Sequence, residues 1–500
     1  MGKHNFFADM AVLHTALSFN DVRLRTGHSE IVPSATSLVT RFSRRIPLRI
    51  PIVSSPMDTI TESKMAIAMA KAGGLGIIHR NLSPKDQAAE VARVKFDLNG
   101  MISRPICVSA DETIRQILDF RREKGYSFHS FPVCSHDGKL VGILTKSDFE
   151  FCDNPDLPAS VVMTRDFTIA TPGTDLATAD KMMRACKKKV LPLVDDSGVI
   201  QGMYVFSDVR RITTGNSEGF NTDSNGQLRV GAAIGTGTEE LDRADLLVEE
   251  HVDVLVIDTA HGDTTRVIDM LRRLKEWYPD TDIVAGNVSE GDSARRLVDA
   301  GADGVRVGQG PGSICTTRII AGVGCPQLTA VYQCARAIEG SNVPVCADGG
   351  ISYSGDIPIA IGAGADTVML GRLLAGTDEA PGEIIHIDGV PHKSYRGMGS
   401  LGAMQNNQSS RQRYGQRDTG KNQVVPEGVE GVVPYKGGVG ALLHQYVEGL
   451  RRGMGYVGAS TIPELQEKAD FFRITSAGLA ESHPHGVDHI QAAPNYQPGL

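Results

Sequence analysis

Cys315 stands alone as a thiol in the run GQGPGSICTTR, residues 308–318, among glycines, hydroxyls and one arginine. A cysteine close to loop N–H donors and a cation ionises more readily, and the thiolate is the attacking form. The run therefore reads as a covalent catalytic site, with a structural loop cysteine as the plainer alternative. Two further runs end in backbone donors, ADGG at 347–350 and LG at 370–371. Successive N–H groups of this kind cradle phosphate, so a phosphorylated substrate is the expectation. Other apolar runs end in Ser55 and, two residues on, Met57, in Asp258 and in Asn287.

These residues need a scaffold that brings many strand ends together. Eight short apolar runs occur at 50–57, 74–79, 228–234, 252–260, 282–288, 303–308, 343–350 and 366–371. Helical patterns such as TRVIDMLRRLKEWY and SARRLVDAG separate them. Near-continuous apolar strands alternating with helices imply a parallel sheet covered on both faces. Eight units predict an α/β protein with a closed (β/α)8 TIM barrel, whose active site lies at the C-terminal strand ends. An open doubly wound sheet fits less well, because no GxGxxG follows the first strand and the count is eight.

Between the second and third runs the chain repeats itself. Residues 105–150 and 169–211 share Pro132/Pro192, Gly138/Gly198, Gly142/Gly202, Ser147/Ser207 and Asp148/Asp208, all at an offset of 60. Each copy reads as helix, strand, Gly turn, strand and a Ser-Asp end. Two such units would bury each other's apolar faces. The pair resembles tandem CBS modules, which implies an adenine or guanine nucleotide as a regulatory ligand. Thr145 and Asp148 match the ribose-contacting pattern, and Val205 stands at the corresponding Thr position of the second copy. The expected organisation is barrel at 1–94, modules at 95–152 and 153–218, and barrel again at 219–500.

Composition excludes several classes. Glycine makes up 55 of 500 residues, above the usual ~7%, as expected for a chain rich in tight turns. Net charge is −8 with no basic stripe, which disfavours nucleic acid as a partner. No stretch reaches the ~18 apolar residues of a membrane span, and MGKHNFFADM lacks a signal core and a myristoylation pattern. Eight cysteines without a CxxC pair argue against a disulfide scaffold or zinc ribbon. A cytoplasmic protein is expected.

Four motifs carry a resemblance that spans nearly the whole chain, from LSFNDV at 17–22 to ESHPHGVDHI near the C-terminus. They are VSSPMDTITE (53–62), IIHRNLS (77–83), GPGSICTTR (310–318) and YRGMGSLGAM (395–404). Together they are similar to the IMP dehydrogenase and GMP reductase family, the dehydrogenase branch above all. The resemblance implies that Cys315 attacks C2 of IMP and that hydride passes to NAD. It implies further that Ser313, Gly350, Gly371 and Tyr395 hold the phosphate, where Arg372 is a compatible cation, and that Asp348 takes the ribose. Ser55, Met57, Arg306, Met398, Gly399 and Glu430 match other substrate positions, while Asp258, Thr259, Asn287, Gly308 and Gly310 match the nicotinamide side.

The polar, Gly-rich segment 402–440 shows too little apolar periodicity to pack as a helix. By resemblance it is a mobile flap on which Arg413 and Tyr414 activate water with help from Thr317. The same resemblance places K⁺ among carbonyls of Gly310, Gly312 and Cys315, joined by Glu481, Ser482 and His483 of another subunit. A homotetramer follows, or an octamer built from it. The three histidines of ESHPHGVDH carry no recognisable zinc spacing of their own. Three residues depart from the family pattern: Arg372 beside the phosphate, Gly415 after the Arg-Tyr pair, and Val205. GMP reductase is the nearest alternative, disfavoured by Arg413-Tyr414, the long flap and the form of 395–404. A non-catalytic nucleotide sensor is the alternative from another class.

Overall fold

The computed structural model describes residues 2–98, 101–102, 105–126, 128–214, 219–491 and 493–496. They fall into two compact units, residues 1–92 with 229–500, and residues 93–228.

All eight predicted runs form strands of one ring. These are β1 (Ile52–Ser54), β2 (Leu75–Ile78), β3 (Gly231–Ile234), β4 (Val254–Asp258), β5 (Asp282–Val288), β6 (Gly304–Val307), β7 (Val345–Asp348) and β8 (Thr367–Leu370). Every neighbouring pair is parallel, and β8 closes on β1 through Leu370 and Ser54. The strands are shorter than the runs. At β1 the cause is visible, since Pro51 and Pro56 flank it and cannot donate to a ladder. Ser55 and Met57 are thereby released at the mouth.

Val53, Leu75, Ile77, Ala233, Val254, Val256, Val284, Cys346 and Met369 fill the interior. Phe42, Ile46 and Leu48, from the small hairpin of Thr40–Arg41 and Pro47–Leu48, join that core at the N-terminal strand ends. Ser43 and Arg45 tie the hairpin to Asp282 at 2.6 Å each. One end is plugged with apolar side chains, so the polar groups collect at the other. Outer helices follow the amphipathic rule. In Thr265–Trp277, Val267, Met270, Leu271 and Leu274 are buried, and Thr264 caps the first turn.

In the second unit each repeat has the predicted order. Helices Ile114–Glu123 and Leu176–Cys186 precede hairpins Phe131–Cys134/Leu140–Leu144 and Val190–Val194/Ile200–Val205. Gly138 and Gly198 make the turns at φ +79° and +88°. Ile143 of one copy packs with Val190 and Met203 of the other. Thr145 and Asp148 bond to each other at 2.7 Å in a capping box on Lys146–Glu150. Among the described residues no helix is long and apolar enough to cross a membrane.

Candidate active site

At the C-terminal ends of β4 to β7 lies a buried polar floor. Arg306, 1% exposed, donates to Asp258 at 2.5 Å and to Asn287 at 2.5 Å, and lies 3.1 Å from Asp348. Asn287 in turn donates to Asp348 at 2.8 Å and to the Gly308 carbonyl at 2.7 Å. Burial alone would raise the Asp258 carboxyl, but Arg413, Arg306 and Arg80 outweigh it and hold it below the usual carboxylate range. Arg306 Nη1 is buried without a protein partner, so water or a ligand must supply its acceptor.

Above the floor sits the thiol loop. Cys315 donates from Sγ to Thr317 Oγ1 at 3.3 Å, and Thr317 donates to Glu427 at 2.7 Å. The loop is pinned by chain from 427–429. Thr316 N donates to the Glu427 carbonyl, and Val429 N to the Ile314 carbonyl, both at 3.0 Å. Arg318 turns away, capping the Gln309 carbonyl at 3.0 Å and the Cys325 carbonyl.

Two adjoining cavities share Ser55, Met57, Pro311, Gly312, Asp348, Gly349 and Tyr395. The first, about 120 Å³, reaches Cys315, Thr317, Met398, Arg413, Tyr414 and Glu427. The second, about 150 Å³, is lined by Ser313, Gly350, Gly371 and Arg372. Tyr395 is buried between them, its hydroxyl bonded to Ser313 and its pKa pushed up to about 12 by burial. Among the described residues Arg372 has no carboxylate within ion-pair distance, so this end carries a free cation suited to an anion. The site is thus elongated, with the Cys315 thiol at one end and glycine backbone, the Ser313 hydroxyl and the Arg372 guanidinium at the other.

Residues 401–413 cover the thiol end as two short helices, Leu401–Asn406 and Gln408–Arg413. This corrects the expectation of a segment unable to pack as helix. Ser400 caps the first turn, accepting from Ala403 N, and contacts from below replace an apolar stripe. Arg413 reaches down to Asp258, and its carbonyl accepts from Ala260 N at 3.1 Å. Burial would lower the Arg413 pKa; the Asp258 carboxylate overrides it and holds the guanidinium charged. Tyr414 is pushed up to about 12, chiefly by burial. Its ring passes so close to Gly399 that a methyl there would fall 2.6 Å from Cζ.

The chain matches the IMP dehydrogenase / GMP reductase domain over residues 16–485. It is 50% identical over 484 residues to inosine-5′-monophosphate dehydrogenase of Aquifex aeolicus, covering 96% of this chain and 97% of the relative. It therefore belongs to the IMP dehydrogenase / GMP reductase family. The dehydrogenase of Halalkalibacterium halodurans is 47% identical, with 96% and 98% covered. Among solved structures, a cysteine-to-alanine variant of GMP reductase from Trypanosoma brucei, in complex with guanosine 5′-monophosphate, superimposes with a TM-score of 0.86. It is 41% identical, with 96% of this chain and 99% of that chain covered.

Most of the positions singled out by family resemblance meet at this mouth. Glu430 does not: its carboxylate accepts from Ser400 Oγ at 2.7 Å and Gly402 N at 2.8 Å, bracing the covering segment. The glutamate that faces the thiol is Glu427, which sequence reasoning missed. Two glutamates three apart in an aperiodic loop gave no signal to choose between them. Gln309, Pro311, Ile314, Gly349 and Gly397 also line the cavity. Glu481 and Ser482 end the helix Ser476–Glu481 and line neither cavity, while His483 bonds Tyr496 at 3.1 Å. Among the described residues no group of three His, Cys, Asp or Glu side chains is gathered to hold a metal.

Proposed function

We propose that this chain oxidises IMP to XMP with NAD⁺ and water through a covalent bond between Cys315 and C2 of the base. The observation that carries this reading is the thiol–hydroxyl–carboxylate row Cys315–Thr317–Glu427 beside a cation-bearing phosphate pocket. The 5′-phosphate sits on the Ser313, Gly350, Gly371 and Arg372 end, with Tyr395 donating, and the ribose hydroxyls face Asp348. Met57, Met398 and Gly399 bound the base. NAD⁺, when bound across the mouth, accepts the hydride leaving C2.

Asp258, Thr259, Asn287, Gly308 and Gly310 form the rim for the nicotinamide. Thr259 is fixed by its 2.7 Å bond to the Gly286 carbonyl, and the Asp258 carboxylate offers acceptors suited to hydroxyls. These residues fit the cofactor only when Arg413 and Tyr414 are withdrawn, because Arg413 otherwise occupies Asp258. Flap and cofactor therefore use the rim in turn. With the flap down, Arg413, Tyr414 and Thr317 surround the attacking water, whose proton is removed as the Cys315–C2 bond is hydrolysed. As Arg413 is held charged by Asp258, proton removal requires that this pairing loosen.

K⁺ is assigned to carbonyls of Gly310, Gly312 and Cys315 with Glu481, Ser482 and His483 of a neighbouring copy. Its support is that the helix Ser476–Glu481 ends there: its last cap bonds are accepted by Gly478, Leu479 and Ala480, so the carbonyls of Glu481, Ser482 and His483 lie beyond them. Such a shared ion calls for a homotetramer, from which an octamer can be built. The 95–152 and 153–218 copies are read as CBS modules taking an adenine or guanine nucleotide, and the setting as cytoplasmic.

The deciding experiment follows absorbance near 340 nm of purified protein with IMP, NAD⁺ and K⁺, beside a cuvette with GMP and NADPH. Steady NADH production in the first is expected. NADPH loss in the second alone would reassign the chain to the reductase branch.

A further inference from the structure

Arg80 and Asn81 follow His79 at the end of β2, and the chemistry above gives them no part beyond the charge of Arg80 near Asp258. Both reach the helix that carries Arg413. Arg80 Nη1 donates to Gln412 Oε1 at 2.6 Å. Asn81 Nδ2 donates to Ser410 Oγ at 3.1 Å, and that hydroxyl donates back to Asn81 Oδ1 at 3.2 Å. Gln412 and Ser410 stand one and three residues before Arg413, within a turn of the same helix.

The barrel side of this contact is prepared in advance. Arg80 is 1% exposed and lies 3.8 Å from Glu240, whose carboxylate also accepts from Gly235 N at 2.8 Å. Arg243 pairs with Glu240 at 3.1 Å and bonds Gln87 at 2.7 Å. Asn81 donates to Asp58 at 2.8 Å, which is paired with Arg396 at 2.6 Å. Gly235 leaves room for the contact, since a methyl there would fall 2.6 Å from both Arg80 Nη1 and Gln412 Oε1. Glu239 adds an outer clasp, accepting from Gln412 at 3.2 Å and pairing with Arg417 at 2.8 Å.

We propose that Arg80 and Asn81 are a latch for the 408–413 helix, positioning residues that set how long Arg413 stays over Cys315. The inference rests on the flap reading above. The barrel gives the buried Arg80 guanidinium the Asp258 carbonyl at 3.4 Å and Glu240 at 3.8 Å, and the lowered flap adds the short bond to Gln412, so Arg80 favours the closed state without touching substrate. It also opposes NAD⁺ at the rim, because cofactor can return only after the latch releases.

The test compares Gln412→Ala and Ser410→Ala with wild type in the full-length purified protein; both change the flap side and leave the buried Arg80–Glu240 pair intact. Expected are an unchanged rate of the first NADH-forming step, a fall in kcat of about tenfold for Gln412→Ala, and inhibition by excess NAD⁺ that sets in at about tenfold lower concentration. The pH profile of the hydrolytic step should keep its shape, because Arg413 itself is retained. If both variants keep wild-type kcat and NAD⁺ inhibition while Arg413→Ala stops hydrolysis, the latch is wrong and the flap reading stands. If Arg413→Ala also hydrolyses normally, the flap reading fails first and the latch with it.

Discussion

Arg306 and Arg413 share the carboxylate of Asp258, one from the barrel floor at 2.5 Å and the other from the covering segment. One residue at the end of β4 thus joins the barrel floor to the segment that covers it. Asp258 is fully buried, so it needs cationic or donor partners in every state of the cycle. In the proposed cycle, cofactor hydroxyls and water take the place of Arg413 when it leaves.

Replacing Cys315 by Ala should lower turnover by at least ~10³-fold while IMP still binds, because phosphate and ribose contacts lie elsewhere. Isothermal titration with IMP and a steady-state assay check both halves. Turnover near wild type would remove Cys315 from the chemistry.

Arg413→Ala should retain a pre-steady-state burst of NADH and lose steady-state rate by ~10²-fold or more. Stopped-flow absorbance resolves the two phases. An undiminished steady rate would show that water is activated elsewhere.

The two glutamates should separate cleanly. Glu427→Ala strips Thr317 of its acceptor and is expected to lower kcat about tenfold or more with little change in melting temperature. Glu430→Ala leaves the cavity lining intact and removes a brace on Ser400 and Gly402, costing about 1 kcal/mol of local stability. Steady-state kinetics and thermal melts of both variants decide it.

The barrel was legible because the strands are short apolar runs, most of them ending in or beside Gly, Asp, Asn or Ser, and the ring confirms all eight. The gathering of Gly350 and Gly371 at one end of the mouth was legible for the same reason, since both stand as glycines at strand ends. The helices of 401–413 were not. QSSRQR has no apolar stripe and is helical because Asp258, Arg80 and Asn81 hold it from below. Arg80 was equally hidden, a charged residue in a motif whose burial only the assembled barrel reveals.

Asp366 offers a test of stability apart from activity. Burial pushes its carboxyl up to about 6, against 3.8 for the free group, with Val345 N donating to it at 2.8 Å. The folded state therefore holds the proton more tightly, so this stabilisation is fully present below about pH 4 and is lost as pH rises through 6. Asp366→Asn keeps an acceptor and removes the charge. It should raise stability at pH 8 by roughly 1–3 kcal/mol and change little at pH 4, measured by urea unfolding. An equal effect at both pH values would contradict the burial argument.

Replacing K⁺ by a bulky monovalent cation should lower kcat at least several-fold without unfolding the chain. Activity alongside circular dichroism checks it, and unchanged kcat would remove the ion from the thiol loop.

The covering segment is anchored at both roots beside the thiol. Gly397 N donates to the Val429 carbonyl at 3.0 Å, Glu427 N to the Gly399 carbonyl at 2.9 Å, and Tyr395 pairs with Gly431 in a ladder. In the proposed cycle residues 400–426 are consequently a tethered competitor of the cofactor. Their effective concentration at the rim is set by the loop they close, on the order of millimolar for a short flexible tether, and dilution of the protein does not alter it. On that reading a free dinucleotide contends with the local concentration at every turnover, and the length of this loop is itself a determinant of how much NAD⁺ the site tolerates.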